Sequence, residues 1–455
     1  MIKKFCSYLY RRFTTATKTT RVDVSQKSPF FSLRLRAFAA SFFILLFIVT
    51  CTSSRKTTID TKTNTYKRDV NALHPQFVVF NTNDTLSELH YKINSKELLY
   101  TRPDGINFSS NVLITYHLLP EFDSKQILDS ASIRLIDQNN DNADKFLIGK
   151  MNVKARSPRT YVLRVTVSDL NRNTTVTTII SMGKENDLNR QNFLIKSKTT
   201  DVPLFRNYVK TGEEISINYK AKMAVNLFVR YYDREFPLAA PPFSLVDPRP
   251  FQYNADSTFA LQLSPTGSVN FKSLKKGFYH FQLDTNKKEG VTLFNFSDNF
   301  PEVKKAEDMI YPLRFITSKQ EYDDLISSTN KKALIDKFWL DCTGNPDRAK
   351  EVIRKFYNRV QESNTNFSSY IEGWKTDRGM IYLIYGSPNV IYRTATSETW
   401  VYGEENNINS LSYSFSKVNN PFTDNDYALE RSSVYKQSWY TAVDIWRQGR
   451  AYLQD

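Results

Sequence analysis

The residues best suited to chemistry lie in one short stretch of the sequence, Gly-Trp-Lys-Thr-Asp-Arg-Gly at residues 373–379. Asp377 supplies a carboxylate that can act as an acid or a base, and the flanking glycines allow other groups to approach the backbone closely. A second carboxylate, at Asp341, Glu372 or Asp444, would complete the acid pair that glycoside hydrolases use, provided that the two groups lie roughly 5–10 Å apart. The stretch therefore raises the hypothesis of a hydrolase that depends on Asp377.

The same side chains also fit a structural role. Thr and Asp side chains commonly bond to backbone amides in a turn, and Arg378 or Arg359 can pair with Asp377 in a charge-assisted hydrogen bond. The sequence has no Gly-x-Ser-x-Gly elbow, His-Glu-x-x-His, phosphate-binding glycine loop or Cys-x-x-Cys. The structural role is therefore favoured over the catalytic one. The positions predicted to form this structural motif are Gly373, Trp374, Thr376, Asp377, Arg378, Gly379, Gly386 and Pro388.

Neither the cysteines nor the histidines indicate a second reactive centre. Cys342 has no histidine near it in the sequence, and it is expected to be a small buried residue rather than a nucleophile. The histidines stand at spacings that match no metal-ligand cluster. They are His74, His90, His117 and His280. The sequence thus predicts neither a metal nor another cofactor.

The first 74 residues predict export and attachment to a membrane. Nine basic residues and one acidic residue occupy residues 1–36, and an uncharged apolar run follows at residues 37–50, as in a secretory signal. Cys51 ends this run, and the sequence Ile-Val-Thr-Cys resembles the lipobox of bacterial lipoproteins, which makes Cys51 the candidate for lipidation. The alternative is an uncleaved transmembrane anchor, for which the run is short. Residues 51–74 are polar and predict a flexible tether.

The charge of the chain does not indicate nucleic-acid binding. The formal net charge is +15, but residues 1–36 carry +8 of it. The rest is spread over the remaining chain, and no basic motif interleaved with aromatic residues occurs. No nucleic-acid partner is therefore expected.

The elements that must position the motif begin with two strand-rich regions. Residues 75–186 show period-two alternation, most clearly in a hairpin at residues 160–180, and they predict a β-sandwich-like module. Residues 187–311 also contain several strand-like segments and predict a second module of this type. Between its strands lies Phe-Pro-Leu-Ala-Ala-Pro-Pro-Phe at residues 236–243, where the prolines forbid a central strand and favour a packed, extended loop.

Residues 312–455 predict an α+β domain. Ser318 begins a capping box, and Asn345 with Pro346 begins a helix that carries a complete apolar stripe. Met380–Tyr385 is apolar at every position, which predicts a central strand that is covered on both faces. The tryptophans are expected to lie mostly in the core, although an exposed aromatic platform for a glycan or peptide is the alternative. All of them fall in this region: Trp339, Trp374, Trp400, Trp439 and Trp446.

The motif also carries a resemblance to a known family. Residues 373–379 with the apolar run after them, Gly386 and Pro388, and the upstream Phe-Trp at residues 338–339 resemble the GWxTD-domain family of exported bacterial proteins of the Bacteroidetes type. That resemblance implies a cell-envelope location but no established activity. We expect a membrane-tethered, non-enzymatic binding or scaffold protein with an envelope partner, most simply an outer-membrane lipoprotein. The alternative is a carboxylate-dependent hydrolase of an envelope polymer.

Overall fold

The computed structural model of the chain describes Tyr66 and residues 72–452, apart from residues 104, 139–143, 246–251, 405–406 and 408. These residues belong to one compact unit, Thr58–Asp455. The basic leader, the apolar run, Cys51 and most of the predicted tether lie outside the described residues. Among the helices of the described part, none is long and apolar enough to cross a membrane.

The first module is a sandwich of two antiparallel sheets whose inward residues alternate along each strand. Its strands are β1 (Gln76–Asn81), β2 (Leu86–Asn94), β3 (Ser109–Leu119), β4 (Asp129–Gln138), β5 (Phe146–Lys154), β6 (Thr160–Asp169) and β7 (Thr174–Gly183). One sheet has the order β1-β2-β5 and the other has the order β4-β3-β6-β7. Leu89, Ile114 and Val165 are fully buried between them. The predicted hairpin is confirmed as β6 and β7, paired from Thr160 to Asp169.

The second module is a sandwich of the same kind. Its strands are β8 (Phe193–Ser197), β9 (Glu214–Tyr219), β10 (Asn226–Tyr232), β11 (Ser257–Gln262), β12 (Ser268–Lys272), β13 (Gly277–Gln282) and β14 (Val291–Asn295). The sheets have the orders β12-β9-β8 and β11-β10-β13-β14. The N-terminal half of the described chain is thus β-rich, as the sequence predicts.

The C-terminal region combines helices with one antiparallel sheet. In chain order its elements are α1 (Ala306–Ile310), α2 (Lys319–Ser327), α3 (Lys331–Thr343), α4 (Pro346–Phe367), α5 (Asp377–Tyr385), β15 (Val390–Arg393), β16 (Ser397–Tyr402), β17 (Leu411–Lys417), β18 (Tyr427–Leu429) and α6 (Tyr435–Arg447). The sheet has the order β15-β16-β17-β18. The capping box of Ser318 and Glu321 is confirmed, and Asn345 caps α4 as expected.

The prediction of a strand at Met380–Tyr385 is wrong. These residues form most of α5, and every one of them is buried. A short run that is apolar at all positions has no periodicity that distinguishes a buried strand from a buried helix. The deciding signal is local: Thr376 accepts a hydrogen bond from the Gly379 amide as an N-cap, and Asp377 places an acid in the first turn.

The second sandwich and the C-terminal region share an aromatic core. Phe422 lies with its ring centroid 5.0 Å from that of Phe278 on β13 and 5.3 Å from that of Tyr232 on β10. Residues 236–243, called the proline strap below, also join these parts: the Ala239 amide donates to the Lys375 carbonyl at 3.0 Å. The second sandwich and the C-terminal region are therefore packed against each other and are not independent domains joined by a linker.

All five tryptophans are buried, with exposed fractions between 0% and 6%. They belong to one hydrophobic core of the C-terminal region together with α4 and α5. This agrees with the core role predicted for most of them, and it leaves none available for an exposed aromatic platform.

Candidate functional site

At Gly373 and Gly379 the neighbouring backbone leaves no room for a side chain. The short 3-10 turn Gly373–Lys375 lies against α4, and a Cβ atom at Gly373 would stand 1.8 Å from the Ser363 carbonyl oxygen. A Cβ atom at Gly379 would stand 1.8 Å from the carbonyl oxygen of Gly373 itself. Contacts this short with backbone atoms are forbidden. The turn, α4 and the start of α5 can therefore meet only where these residues lack side chains.

Thr376 and Trp374 complete the entry into α5. The Thr376 hydroxyl donates to the Gly373 carbonyl at 2.7 Å and accepts from the Gly379 amide at 3.0 Å. Trp374 is 6% exposed and meets the ring of Phe315 edge-on. The hydroxyl thus joins the two glycine positions, while the indole fills the core beneath them.

The far end of α5 is set by Gly386 and Pro388. Gly386 has a φ of 83°, which favours glycine, and its amide donates to the Tyr382 carbonyl at 2.7 Å. Its own carbonyl accepts from the Tyr402 hydroxyl at 3.0 Å. Pro388 is buried in the bend that follows. The chain then turns into β15.

Asp377 is paired with Arg431, a residue that the sequence analysis missed. The Arg431 guanidinium contacts both carboxylate oxygens of Asp377, with Nη1 at 3.1 Å from Oδ2. The same Oδ2 accepts from the Leu429 amide of β18 at 2.8 Å. The expected pairing with Arg378 or Arg359 is wrong, because Arg359 is directed instead to the carbonyls of Ile384 and Tyr452. Both oxygens of Asp377 are therefore occupied by partners within the fold.

The three carboxylates proposed as second acids are placed differently. Asp341 on α3 and Asp444 on α6 are exposed. Glu372 forms an ion pair with Lys375 at 2.7 Å. The acid that does sense the charge of Asp377 is Asp426: burial raises its pKa above the usual value, the nearby Asp377 adds to that rise, and Asn420 and Arg378 oppose it.

Arg378 lies in a buried cluster of charges. It is 2% exposed, donates to the Asn425 carbonyl at 3.0 Å and stacks on the Tyr427 ring at 3.9 Å. Its Nη1 lies 3.5 Å from Oε2 of Glu398 on β16. Arg378 thus ties the beginning of α5 to the sheet.

Glu398 is the centre of this cluster. It accepts hydrogen bonds from Nε of Arg393 at 3.1 Å and from Nε1 of Trp400 at 3.0 Å. Burial alone would raise the pKa of Glu398, but the charges of Arg378 and Arg393 hold it below the usual value. The carboxylate is therefore ionised inside the domain, where it can accept further hydrogen bonds.

A further partner of Glu398 comes from the predicted tether. The Tyr66 hydroxyl donates to Glu398 at 3.1 Å and 3.2 Å from its two oxygens. Tyr66, which lies within the predicted tether, is therefore held by the C-terminal region. Nothing in the local sequence marks this tyrosine, because its partner stands 332 residues away.

A cavity of about 460 Å³ opens where the two sandwiches meet the C-terminal region. Its lining includes Phe77 of β1, Arg190 and Arg206 at the edge of the second sandwich, Thr365 of α4, and Phe422. Arg190 also pairs with Asp424 at 3.3 Å, which is a contact between the second sandwich and the C-terminal region. Asp377 is not among the residues that line this cavity.

The remaining candidates for chemistry are held in ordinary structural contacts. Cys342 is half-buried, and burial raises the pKa of its thiol, which keeps it protonated. His280 is 1% exposed and lies 2.7 Å from Thr292 Oγ1 and 3.0 Å from the Lys288 carbonyl. Within the described residues, no three His, Cys, Asp or Glu side chains converge as a metal site would require.

Comparison with known proteins agrees with the motif. Residues 277–448 match the family model of the GWxTD domain, and this match contains the complete turn at residues 373–379. This C-terminal region of the chain is a GWxTD domain. The matched region begins at the first residue of β13, so the GWxTD domain as matched includes the two strands that supply Phe278 and Phe294 to the shared core.

Other comparisons add little to the GWxTD assignment. No curated protein matches the chain significantly. Among the solved structures that match is a transglutaminase of red sea bream, with 9% sequence identity and a TM-score of 0.19. The alignment covers 52% of this chain and only 32% of that chain. A similarity this low carries no argument about fold or activity.

Proposed function

We propose that this protein is a membrane-tethered component of the bacterial cell envelope without enzymatic activity, which presents its GWxTD domain to an envelope protein partner. The observation that carries the proposal is the state of Asp377. Its carboxylate is occupied by Arg431 and by the Leu429 amide, whereas a catalytic acid or base needs an oxygen free to reach substrate. In this proposal the role of the motif is to stabilise the fold of the GWxTD domain.

The rigid connection of the domain to the second sandwich also supports a binding role. Phe422 packs against β10 and β13, and Ser432 donates to the Pro242 carbonyl of the proline strap at 3.0 Å. A binding surface keeps its geometry best on elements that cannot move against each other. In this proposal the two sandwiches act as spacers between the membrane and the GWxTD domain.

The membrane attachment rests on the first 51 residues. A basic leader, an apolar run and Cys51 follow one another as in an exported lipoprotein, and we propose an outer-membrane lipoprotein lipidated at Cys51. An uncleaved anchor at residues 37–50 is the alternative. Both place the remaining chain outside the cytoplasm.

A hydrolase remains the second candidate, and one observation favours it. Burial raises the pKa of Asp426 and the nearby Asp377 adds to that rise, so the two carboxyl groups form a candidate acid pair. Asp426 Oδ2 accepts a hydrogen bond from Asn420 at 2.9 Å, which holds the carboxyl group in place. A hydrolase would therefore use Asp426 rather than Asp341, Glu372 or Asp444.

The two candidates are separated by affinity purification of the tagged full chain from detergent-solubilised membranes. We expect one envelope protein to be recovered with the wild type and lost with Gly373→Ala, which disturbs the motif. Gly212→Ala, at a turn of the second sandwich with open space around the glycine, should retain it. Recovery of the chain alone, together with turnover of an envelope polymer that Asp426→Asn abolishes, would instead establish the hydrolase.

A further inference from the structure

Tyr66 is seated in a pocket that the GWxTD domain builds from four of its elements. The Tyr66 ring centroid lies 4.8 Å from that of Phe367 on α4, edge-on, and 5.4 Å from that of Trp400 on β16. The guanidinium of Arg393 on β15 lies 5.1 Å from the same ring. Tyr382 on α5 donates its hydroxyl to the Tyr66 carbonyl at 3.0 Å. The pocket thus contacts the ring on several sides and also holds the backbone.

The floor of the pocket selects the hydroxyl group. Glu398 is 5% exposed and ionised, and its two oxygens both lie within hydrogen-bond distance of the Tyr66 hydroxyl. Burial raises the pKa of Tyr66 to about 12, so the phenol keeps its proton and donates it. A phenylalanine in this position would leave a buried carboxylate short of one donor, which costs more than the loss of an exposed hydrogen bond.

The charges around the ring exclude other side chains. A lysine or arginine would bring a third cation beside Arg378 and Arg393, and a phosphotyrosine would place an anion against Glu398. An unmodified tyrosine fits because it combines a flat ring for Phe367 and Trp400 with a single neutral donor. The chemistry of the pocket therefore favours tyrosine over phenylalanine, lysine, arginine and phosphotyrosine.

We propose that the pocket formed by Phe367, Tyr382, Arg393, Glu398 and Trp400 is a binding site for a tyrosine in a peptide segment, and that Tyr66 occupies it in cis. A tyrosine-bearing peptide supplied in trans takes the place of Tyr66 when the pocket is vacated. The site goes beyond the proposed function and does not depend on it, since either a scaffold or a hydrolase can carry such a pocket.

The direct test uses the full chain in detergent and a fluorescent peptide of residues 60–72, which contains Tyr66. We expect this peptide to bind the Tyr66→Ala variant at least about tenfold more tightly than the wild type, whose own tyrosine competes, a factor that corresponds to about 1.4 kcal/mol. A peptide with phenylalanine in place of the tyrosine should bind the variant about tenfold more weakly. A phosphotyrosine peptide should not bind.

Equal binding of the tyrosine peptide to wild type and variant would overturn the proposal, and so would equal binding of the tyrosine and phenylalanine peptides. Near-ultraviolet circular dichroism establishes that the variant is folded. If Tyr66→Ala does not fold, Tyr66→Phe keeps the ring and removes only the donor. Trypsin should then cleave after Lys67 and Arg68 faster in Tyr66→Phe than in the wild type. An unchanged cleavage rate would show that the pocket does not depend on the Tyr66 hydroxyl, which would contradict the proposal.

Discussion

Asp377 at the start of α5 and Arg431 after β18 form an ion pair that joins three separate parts of the fold. Both oxygens of Asp377 contact the guanidinium, and the same guanidinium donates through Nη2 to the Ala240 carbonyl of the proline strap at 3.1 Å. The two side chains are only 12% and 14% exposed. Because Asp377 also lies at the positive end of α5, its charge is favoured twice, by the arginine and by the helix dipole. The ion pair thus fixes the positions of α5, the residues after β18 and the proline strap relative to one another.

The first prediction concerns the glycines of the motif. Gly373→Ala and Gly379→Ala each place a methyl group 1.8 Å from a backbone oxygen, and we expect each to lower the free energy of unfolding by about 3 kcal/mol or more. Gly212→Ala is the control, since its φ of +83° is unfavourable for alanine but no atom lies within 4 Å. We expect a cost of about 1 kcal/mol there. Equal costs in urea unfolding would show that space at the motif is not limiting.

The second prediction concerns the shared aromatic core. Phe422→Ala removes a ring that meets β10 and β13, and it should cost about 3–5 kcal/mol. It should also separate the unfolding of the second sandwich from that of the C-terminal region, so that calorimetry resolves more transitions than in the wild type. Phe259→Ala on β11, where the ring is 41% exposed, is the control and should cost less than about 1 kcal/mol. Unchanged cooperativity in Phe422→Ala would contradict a shared core.

The third prediction is a pH dependence that comes from His280. Burial lowers the pKa of His280 to about 3, with smaller contributions from Arg190 and Arg230. The folded chain therefore binds a proton less readily than the unfolded chain, and the stabilising effect is complete above pH 6.5 and is lost as the pH falls towards 3. Relative to its value well above pH 6.5, the free energy of unfolding should be lower by about 2 kcal/mol at pH 5.

His280→Gln removes this titration, so its urea midpoint should fall less over the same pH interval than that of the wild type. His117→Gln is the control, because it removes a histidine that is only half-buried, on β3. If the slopes of wild type and His280→Gln coincide, burial of His280 does not govern the acid sensitivity.

The fourth prediction concerns attachment to the membrane. Growth with an alkyne-bearing fatty acid should label the wild type and Cys342→Ala, and it should leave Cys51→Ala without label, because a thioether-linked lipid requires the Cys51 thiol. Label that persists in Cys51→Ala, or that is absent from all three chains, would favour the uncleaved anchor at residues 37–50.

The features that the sequence could predict are those set by neighbours along the chain. The capping box at Ser318, the N-cap at Asn345 and the hairpin of β6 and β7 each depend on residues only a few positions apart or on a strict alternation. The helix α5 could also have been predicted from the sequence. Thr376 followed by Asp377 is typical of a helix N-terminus, whereas the apolar run at Met380–Tyr385 does not distinguish a helix from a strand.

The partners of the motif could not be predicted in this way. Arg431 stands 54 residues from Asp377, and Tyr66 stands 332 residues from Glu398. No local pattern distinguishes these residues from the other arginines and tyrosines of the chain. Only the packing of α5 between the sheet and α4 selects them, so the ion pair and the tyrosine pocket follow from tertiary structure alone.

The most direct test of the central claim is the unfolding free energy of Asp377→Asn, measured beside its turnover of envelope polymers. The amide keeps the shape of the carboxylate but loses the charge that pairs with Arg431, and we predict a loss of about 1–3 kcal/mol. Asp444→Asn on the exposed face of α6 is the control and should change stability by less than about 0.5 kcal/mol. Unchanged stability in Asp377→Asn, together with the loss of a hydrolytic activity that the wild type possesses, would contradict the structural role of the motif.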